Sequence, residues 1–216
     1  MKKMKKSPVE KLISIITYIL LSFFAIMCLY PIFWLLLASF KTNKELYMNP
    51  WGMPAAWSFV NYQNAIVKGN VLIYFGNSVI IAVAAVIAIS FLATIVAYAL
   101  TRMQWKLSEL VYNIFLAGMM IPIYAMIIPL FSMFKAMGIL DTYLAVIIPH
   151  IAVGLPMGIF IICGFMRSIP RELEEAAIID GASIYQCFGQ IILPITRASI
   201  VTVAVVQFIT VWNDLL

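Results

Sequence analysis

Polar residues in this chain are spaced so as to leave five apolar stretches, 12–37, 79–100, 110–134, 143–166 and 198–216. Each is near or above the ~20 residues that a helix needs to cross a bilayer. None of them holds Lys, Arg or Glu, and apart from Cys and Tyr their ionisable groups are His150 and Asp214. A charge at the centre of a bilayer costs about 2.5–3.5 kcal/mol, so this emptiness is a selected pattern. Backbone groups in hydrocarbon must find partners inside the span, which a helix provides. The alternating segments of ~10 residues expected of a membrane barrel are not present. The pattern predicts an all-α polytopic membrane bundle, one domain over 1–216.

Composition agrees, with 64% hydrophobic and 11% charged residues and a mean hydropathy of +1.04. A soluble domain carries about a quarter charged residues, so a soluble enzyme, a disordered tail and a coiled coil are excluded. The net charge of +5 is small and scattered, and points to no nucleic-acid partner. Cys28, Cys163 and Cys187 share no metal-ligand or CxxC spacing, so free thiols and no metal site are expected. Lys2, Lys3, Lys5 and Lys6 before an apolar run resemble a signal peptide. That run is too long for an h-region of about 7–15 residues, which predicts an uncleaved first helix.

Lysine and arginine placement predicts orientation. Segments 1–11, 101–109 and 167–197 hold ten of these residues, and the alternate segments hold four, Lys41, Lys44, Lys68 and Lys135. The positive-inside rule puts the N-terminus in the cytoplasm, 41–70 outside as an aromatic- and proline-rich cap, and 167–197 on the cytoplasmic side. The fifth span runs out at Leu216 with no polar anchor after it, and the expectation is that the chain as written is incomplete.

Segment 167–197 is patterned in its own right. Pro170 suits a helix start, and Glu172, Glu174 and Glu175 favour the positive end of the helix dipole. Leu173, Ala176, Ala177 and Asp180 fall at i, i+3, i+4 and i+7 and line one face, flat at its alanine centre. Gly181 stops the helix. Ser183 and Gln186 form a capping box that starts a second one, which runs through Ile191 and Leu193 to Pro194, where a stop or kink is expected. The product is a helix–turn–helix elbow presenting acid and alanine. Too few basic residues are present for an anchor to anionic lipid, and a docking site for a soluble protein fits better.

Glu175-Ala176-Ala177, three residues, Gly181, nine residues, then Ile191-x-Leu193-Pro194 resembles the EAA motif of binding-protein-dependent ABC importer permeases. The flanks are similar to the carbohydrate-uptake branch of the maltose-permease type. Trp57-Ser58-Phe59-Val60-Asn61-Tyr62, Asn77-Ser78, Asp141-Thr142-Tyr143 and Trp212-Asn213-Asp214 carry that likeness. The resemblance implies the type I importer permease fold in the inner membrane of a bacterial cell, with a sixth helix that this chain lacks. It implies that the first helix of the elbow is a coupling helix seated in a cytosolic ATPase, and that the chain is a non-catalytic transport subunit for a sugar or oligosaccharide. The docking residues it implies are Leu173, Glu174, Glu175, Ala176, Ala177, Asp180, Gly181, Ile191, Leu193 and Pro194. The implied partners are an ATPase dimer, a second permease subunit and an extracytoplasmic solute-binding protein.

The chain has no Gly-Lys dipeptide and hence no phosphate-cradling P-loop, so ATP and Mg²⁺ are expected on the partner subunit, with no cofactor here. In the fifth span Gln207, Thr210 and Asp214 lie at i, i+3 and i+7 beside Asn213, either lining the transport path or bonding between helices. His150 follows Pro149 with no acidic residue nearby in sequence, which favours a structural role, and Pro122, Pro129, Pro149 and Pro156 are expected to kink their helices. Trp212 fits packing or stacking on a sugar face. A secondary transporter or channel subunit working without an ATPase is the alternative. It asks for mid-bilayer ion-coupling groups or inverted repeats and leaves the elbow unexplained. A membrane enzyme finds no clustered catalytic constellation.

Overall fold

The computed structural model describes residues 8–103 and 105–214. The four N-terminal lysines of the topology argument and the last two residues of the expected fifth span lie outside them. Among the described residues the secondary structure is wholly helical. Contacts divide the chain into two units that meet between Tyr74 and Phe75.

The first unit holds α1 (Pro8–Ala38), α2 (Asn43–Met48) and α3 (Val60–Val67). Side chains of α1 face outward almost throughout, as a span bathed in hydrocarbon allows. Segment 41–67 folds back onto the end of this helix. Trp34 Nε1 donates to the Pro50 carbonyl at 2.8 Å. Asn61 Nδ2 donates to the carbonyls of Ser39 and Lys41 at 2.9 and 2.8 Å. The Phe40 ring meets Trp57, Phe59 and Tyr62 at centroid separations of 5.1, 5.3 and 5.4 Å. Lys41, counted above as a loop charge, is buried, with Nζ on the carbonyls of Asn49 and Pro50 at 2.8 and 3.3 Å.

The chain continues into α4 (Val71–Thr101), eight residues ahead of the expected start at 79. Residues 71–78 are themselves apolar enough to extend the helix. The third span corrects the expectation of one helix over 110–134. It is broken into α5 (Ser108–Gly118), a 3-10 turn (Ile123–Met126) and α6 (Ile127–Met137), bent by 87°. Pro122 stands extended at the break, having no N–H to continue the ladder of α5. The fourth span, α7 (Tyr143–Arg167), runs through Pro149 and Pro156 without ending.

The elbow contributes α8 (Glu172–Ile179) and α9 (Ile184–Gln186). A π turn (Cys187–Ile192) leads into α10 (Leu193–Trp212), and Ile184–Trp212 forms a single stretch long and apolar enough to span. Of the stop or kink expected at Pro194, the stop does not occur. This proline sits in the first turn of α10, directly after wider π hydrogen bonding has already displaced the regular ladder that its ring disrupts.

A small-residue seam holds the second unit. Ala82, Ala85, Ile89, Ala93 and Ala97 of α4 are buried along one face. Opposite, a Cβ on Gly158 of α7 would lie 2.9 Å from Ala93 Cβ and 3.4 Å from Val203 Cγ1 of α10. Lipid tails give helices no hydrophobic reason to associate, so close approach over small residues supplies the contact, and Gly154-x-x-x-Gly158 provides it. Ile89, Ile159, Ile162, Met166, Ile192 and Val203 fill the centre.

Candidate functional site

The elbow is built from local signals. Three acids occupy the first turn of α8, and Gly181 ends it at φ +88°, a left-handed conformation that glycine adopts without strain. Ala182 N then donates to Ala177 O and Gly181 N to Ile178 O, both at 2.9 Å. Ser183 and Gln186 make the reciprocal cap, with Ser183 N donating to Gln186 Oε1 at 2.8 Å.

Leu173, Glu175, Ala176, Asp180 and Gly181 are exposed together, while Ala177 is half-buried and Asp180 stands just past the helix end. Ile178, Ile179 and Tyr185 extend the exposed surface, the last two at 84% and 86%. Sequence reasoning passed over these three, although bulky apolar residues flanking an acid–alanine face were the available signal. Ile191 is half-buried in the π turn, and Leu193 and Pro194 are exposed at the helix joint rather than on the α8 face.

Glu174 departs from its expected place among the docking residues. It is turned into the protein, where Oε2 lies 3.2 Å from Arg102 Nη1 with the arginine side chain only 4% exposed. Arg102 entered the sequence argument as a topology charge alone. Its position one residue past a long apolar helix was the hint. Arg102 Nη2 donates to the carbonyls of Met166 and Ile169, and Arg171 Nη2 donates to Thr101 O at 3.2 Å. Beneath the elbow these groups border a cavity of about 380 Å³.

A second cavity, of about 430 Å³, gathers Gln207, Thr210, Asn213 and Asp214 of the fifth span with His150, Gly154 and Met157 of α7 and Tyr124 of the broken span. The four polar positions expected on a path or at a helix contact thus share one cavity wall. Gln207 is also a helix contact, since its buried Nε2 donates to Gly154 O at 3.2 Å. His150 has the acidic neighbour that its sequence surroundings lack: Nδ1 lies 3.7 Å from Asp214 Oδ2. Trp212 stacks on Phe208 at 5.5 Å and meets Phe75 edge-on at 5.6 Å. Among the described residues no group of three His, Cys, Asp or Glu side chains is placed to hold a metal ion.

Among the described residues four helices are long and apolar enough to span, or five with the bent pair α5 and α6 taken as one span, and with the capped elbow they give the architecture of a multi-pass membrane protein. The chain belongs to the family of binding-protein-dependent transport system inner membrane components, whose pattern matches residues 89–216. It is 35% identical over 201 residues to the diacetylchitobiose uptake system permease protein NgcG of Streptomyces coelicolor, covering 93% of this chain and 67% of that one. It is 33% identical to the probable starch degradation products transport system permease protein AmyC of Thermoanaerobacterium thermosulfurigenes, covering 99% and 76%. The fold matches a chain of a bacterial ABC transporter involved in the import of the acidic polysaccharide alginate, with a TM-score of 0.81, 22% identity and coverage of 98% and 75%.

Proposed function

We propose that this permease subunit imports a sugar or oligosaccharide and draws its energy from a separate ATPase dimer seated on the α8 face. The observation that carries the reading is the exposed group Leu173, Glu175, Ala176 and Asp180, ended by Gly181 in its left-handed turn. Alanine at the centre lets a partner approach closely, and Glu175 offers a carboxylate to a basic residue of that partner. ATP and Mg²⁺ belong on the ATPase, since the chain carries no P-loop. The elbow and the N-terminus then lie on the cytoplasmic side, and an extracytoplasmic solute-binding protein delivers substrate at the face of segment 41–70. A second permease subunit completes the pore.

The cavity around Gln207, Thr210, Asn213 and Asp214 is the proposed solute route. Its amides and hydroxyls, with the His150 ring beside Asp214, suit a solute rich in hydroxyl groups, in keeping with the names of the relatives. Rocking between two states is driven only by a partner that binds them unequally, which here is the ATPase. Co-purification followed by reconstitution tests the reading: with sister permease, ATPase and binding protein, sugar accumulates only with ATP. Uphill accumulation by the permease alone overturns it. That outcome supports the second reading, a self-powered transporter, for which the His150–Asp214 pair is the observation in favour.

A further inference from the structure

The elbow is useful to a motor only if it moves the bundle, and α8 is too short to hold its own position. A helix of two turns is marginal alone and takes its stability from what it packs against. Here the packing is thin, because most of α8 is exposed. Its polar ties are another matter.

One guanidinium joins three elements. Arg102, just beyond α4, donates through Nη2 to Met166 O near the end of α7 and, at 2.9 Å, to Ile169 O beyond it. Its Nη1 faces Glu174 Oε2 in the first turn of α8 at 3.2 Å. The last carbonyls of a helix have no partners within it, so Arg102 satisfies α7 while it grips α8. Only arginine has the planar set of donors that serves several acceptors in fixed directions, whereas lysine is a point charge on a flexible stem. Two weaker ties run the same way, Arg171 Nη2 to Thr101 O at 3.2 Å and Tyr98 OH to Ile184 O at 3.3 Å. Glu174 and Glu175, adjacent in sequence, differ in burial: Glu174 is buried against Arg102 and Glu175 is exposed.

We propose that Arg102 and Glu174 form a positioning clamp that makes α8 one rigid body with the ends of α4 and α7, so that displacement of the docked elbow is passed to the bundle. The proposal rests on the ATPase-coupled reading above. It assigns the two glutamates separate tasks, Glu175 to hold the motor and Glu174 to hold the permease.

The test uses the assembled transporter in proteoliposomes with Glu174→Gln, Arg102→Gln and Arg102→Lys. Glu174→Gln keeps shape and hydrogen bonding but removes the charge. ATPase co-purification is expected to stay near that of the unmutated complex, since the α8 face is intact. Solute imported per ATP is expected to fall at least about fivefold, the lower end of usual coupling between sites. Arg102→Lys is expected to retain more coupling than Arg102→Gln. A nitroxide at exposed position 179 of the permease alone is expected to gain mobility in the glutamine variants, a readout that needs no ATPase. Unchanged import per ATP with an unchanged spectrum overturns the clamp, as does loss of the ATPase from Glu174→Gln. An unmutated complex without any ATPase overturns the coupled reading itself, and the clamp with it.

Discussion

Nδ1 of His150 lies 3.7 Å from Oδ2 of Asp214, tying the middle of α7 to the residues just past α10 across the wall of the polar cavity. With side chains 11% and 19% exposed, the pair is shielded but not sealed. Changing one partner takes a polar contact from the other in a poorly solvated place, which costs more than changing both. Asp214→Asn and His150→Gln are each expected to lower sugar import about tenfold, or roughly 1.4 kcal/mol, while ATPase co-purification is unaffected because the elbow is built from other residues. The double variant is expected to recover part of the loss. Uptake into proteoliposomes measures this, and single variants that import like the unmutated chain remove the pair from the route.

The docking face gives a prediction with the opposite signature. Glu175→Lys reverses the charge offered to the motor, and Gly181→Pro forces φ near −65° where the turn requires +88°. The combined variant is expected to lose ATPase co-purification while still reaching the membrane, since neither residue lies in the core. Gly181→Ala alone is expected to weaken docking modestly, a left-handed alanine costing about 1–2 kcal/mol. Retention of the ATPase at full yield by the combined variant would falsify the docking role.

How far the sequence could be read depended on how local each signal is. The elbow was legible almost to the residue, because Gly181, Ser183 and Gln186 act within a turn of themselves. The spans were legible by apolar length and Pro122 as the place of a kink, but a full break bent by 87° was not, because the chain stays apolar across it. At Pro194 the local rule allowed a stop or a kink, and the stop is absent because the π turn ahead of it changes what a proline disrupts. Glu174 read as a solvated or docking acid because its partner Arg102 lies far away in sequence, and His150 read as lacking an acid for the same reason. Pairings between helices carry no periodicity of their own, so they emerge only when the bundle is assembled.

Lys41 shows the same distinction in the first unit. Its ammonium is buried against the carbonyls of Asn49 and Pro50, and its own carbonyl accepts from Asn61. Lys41→Met keeps much of the stem but takes its donor from the Asn49 carbonyl, while Pro50 O keeps Trp34 Nε1, at about 1–3 kcal/mol for a buried group. The expected outcome is faster proteolysis within segment 42–58 in detergent, with the second unit as resistant as before. Lys44→Met, at an exposed position, is the control and is expected to change nothing. Equal cleavage of the two variants would show that the buried ammonium does not hold the cap.

Gly158 offers a prediction in which two effects compete. Alanine favours a helix over glycine by about 0.8–1 kcal/mol, so Gly158→Ala taken alone should stabilise α7. Against that, the new methyl lies 2.9 Å from Ala93 Cβ, closer than real Cβ contacts come, with Ile89 Cγ2 and Val203 Cγ1 at 3.4 Å on the remaining sides. Overpacking of this kind costs about 1–3 kcal/mol, and here the obstacle is another helix's Cβ, which no rotamer change can move. The clash wins, and Gly158→Ala is expected to lower the thermal midpoint of the detergent-solubilised protein, with Gly158→Leu preventing its accumulation. Ala93→Gly removes the opposing methyl, so Gly158→Ala is expected to be harmless or stabilising in that background. The difference between the two backgrounds measures the contact between α4 and α7 and cancels helix propensity, which enters both. Equal shifts in the two backgrounds would mean that the seam between α4 and α7 is looser than the small-residue packing requires.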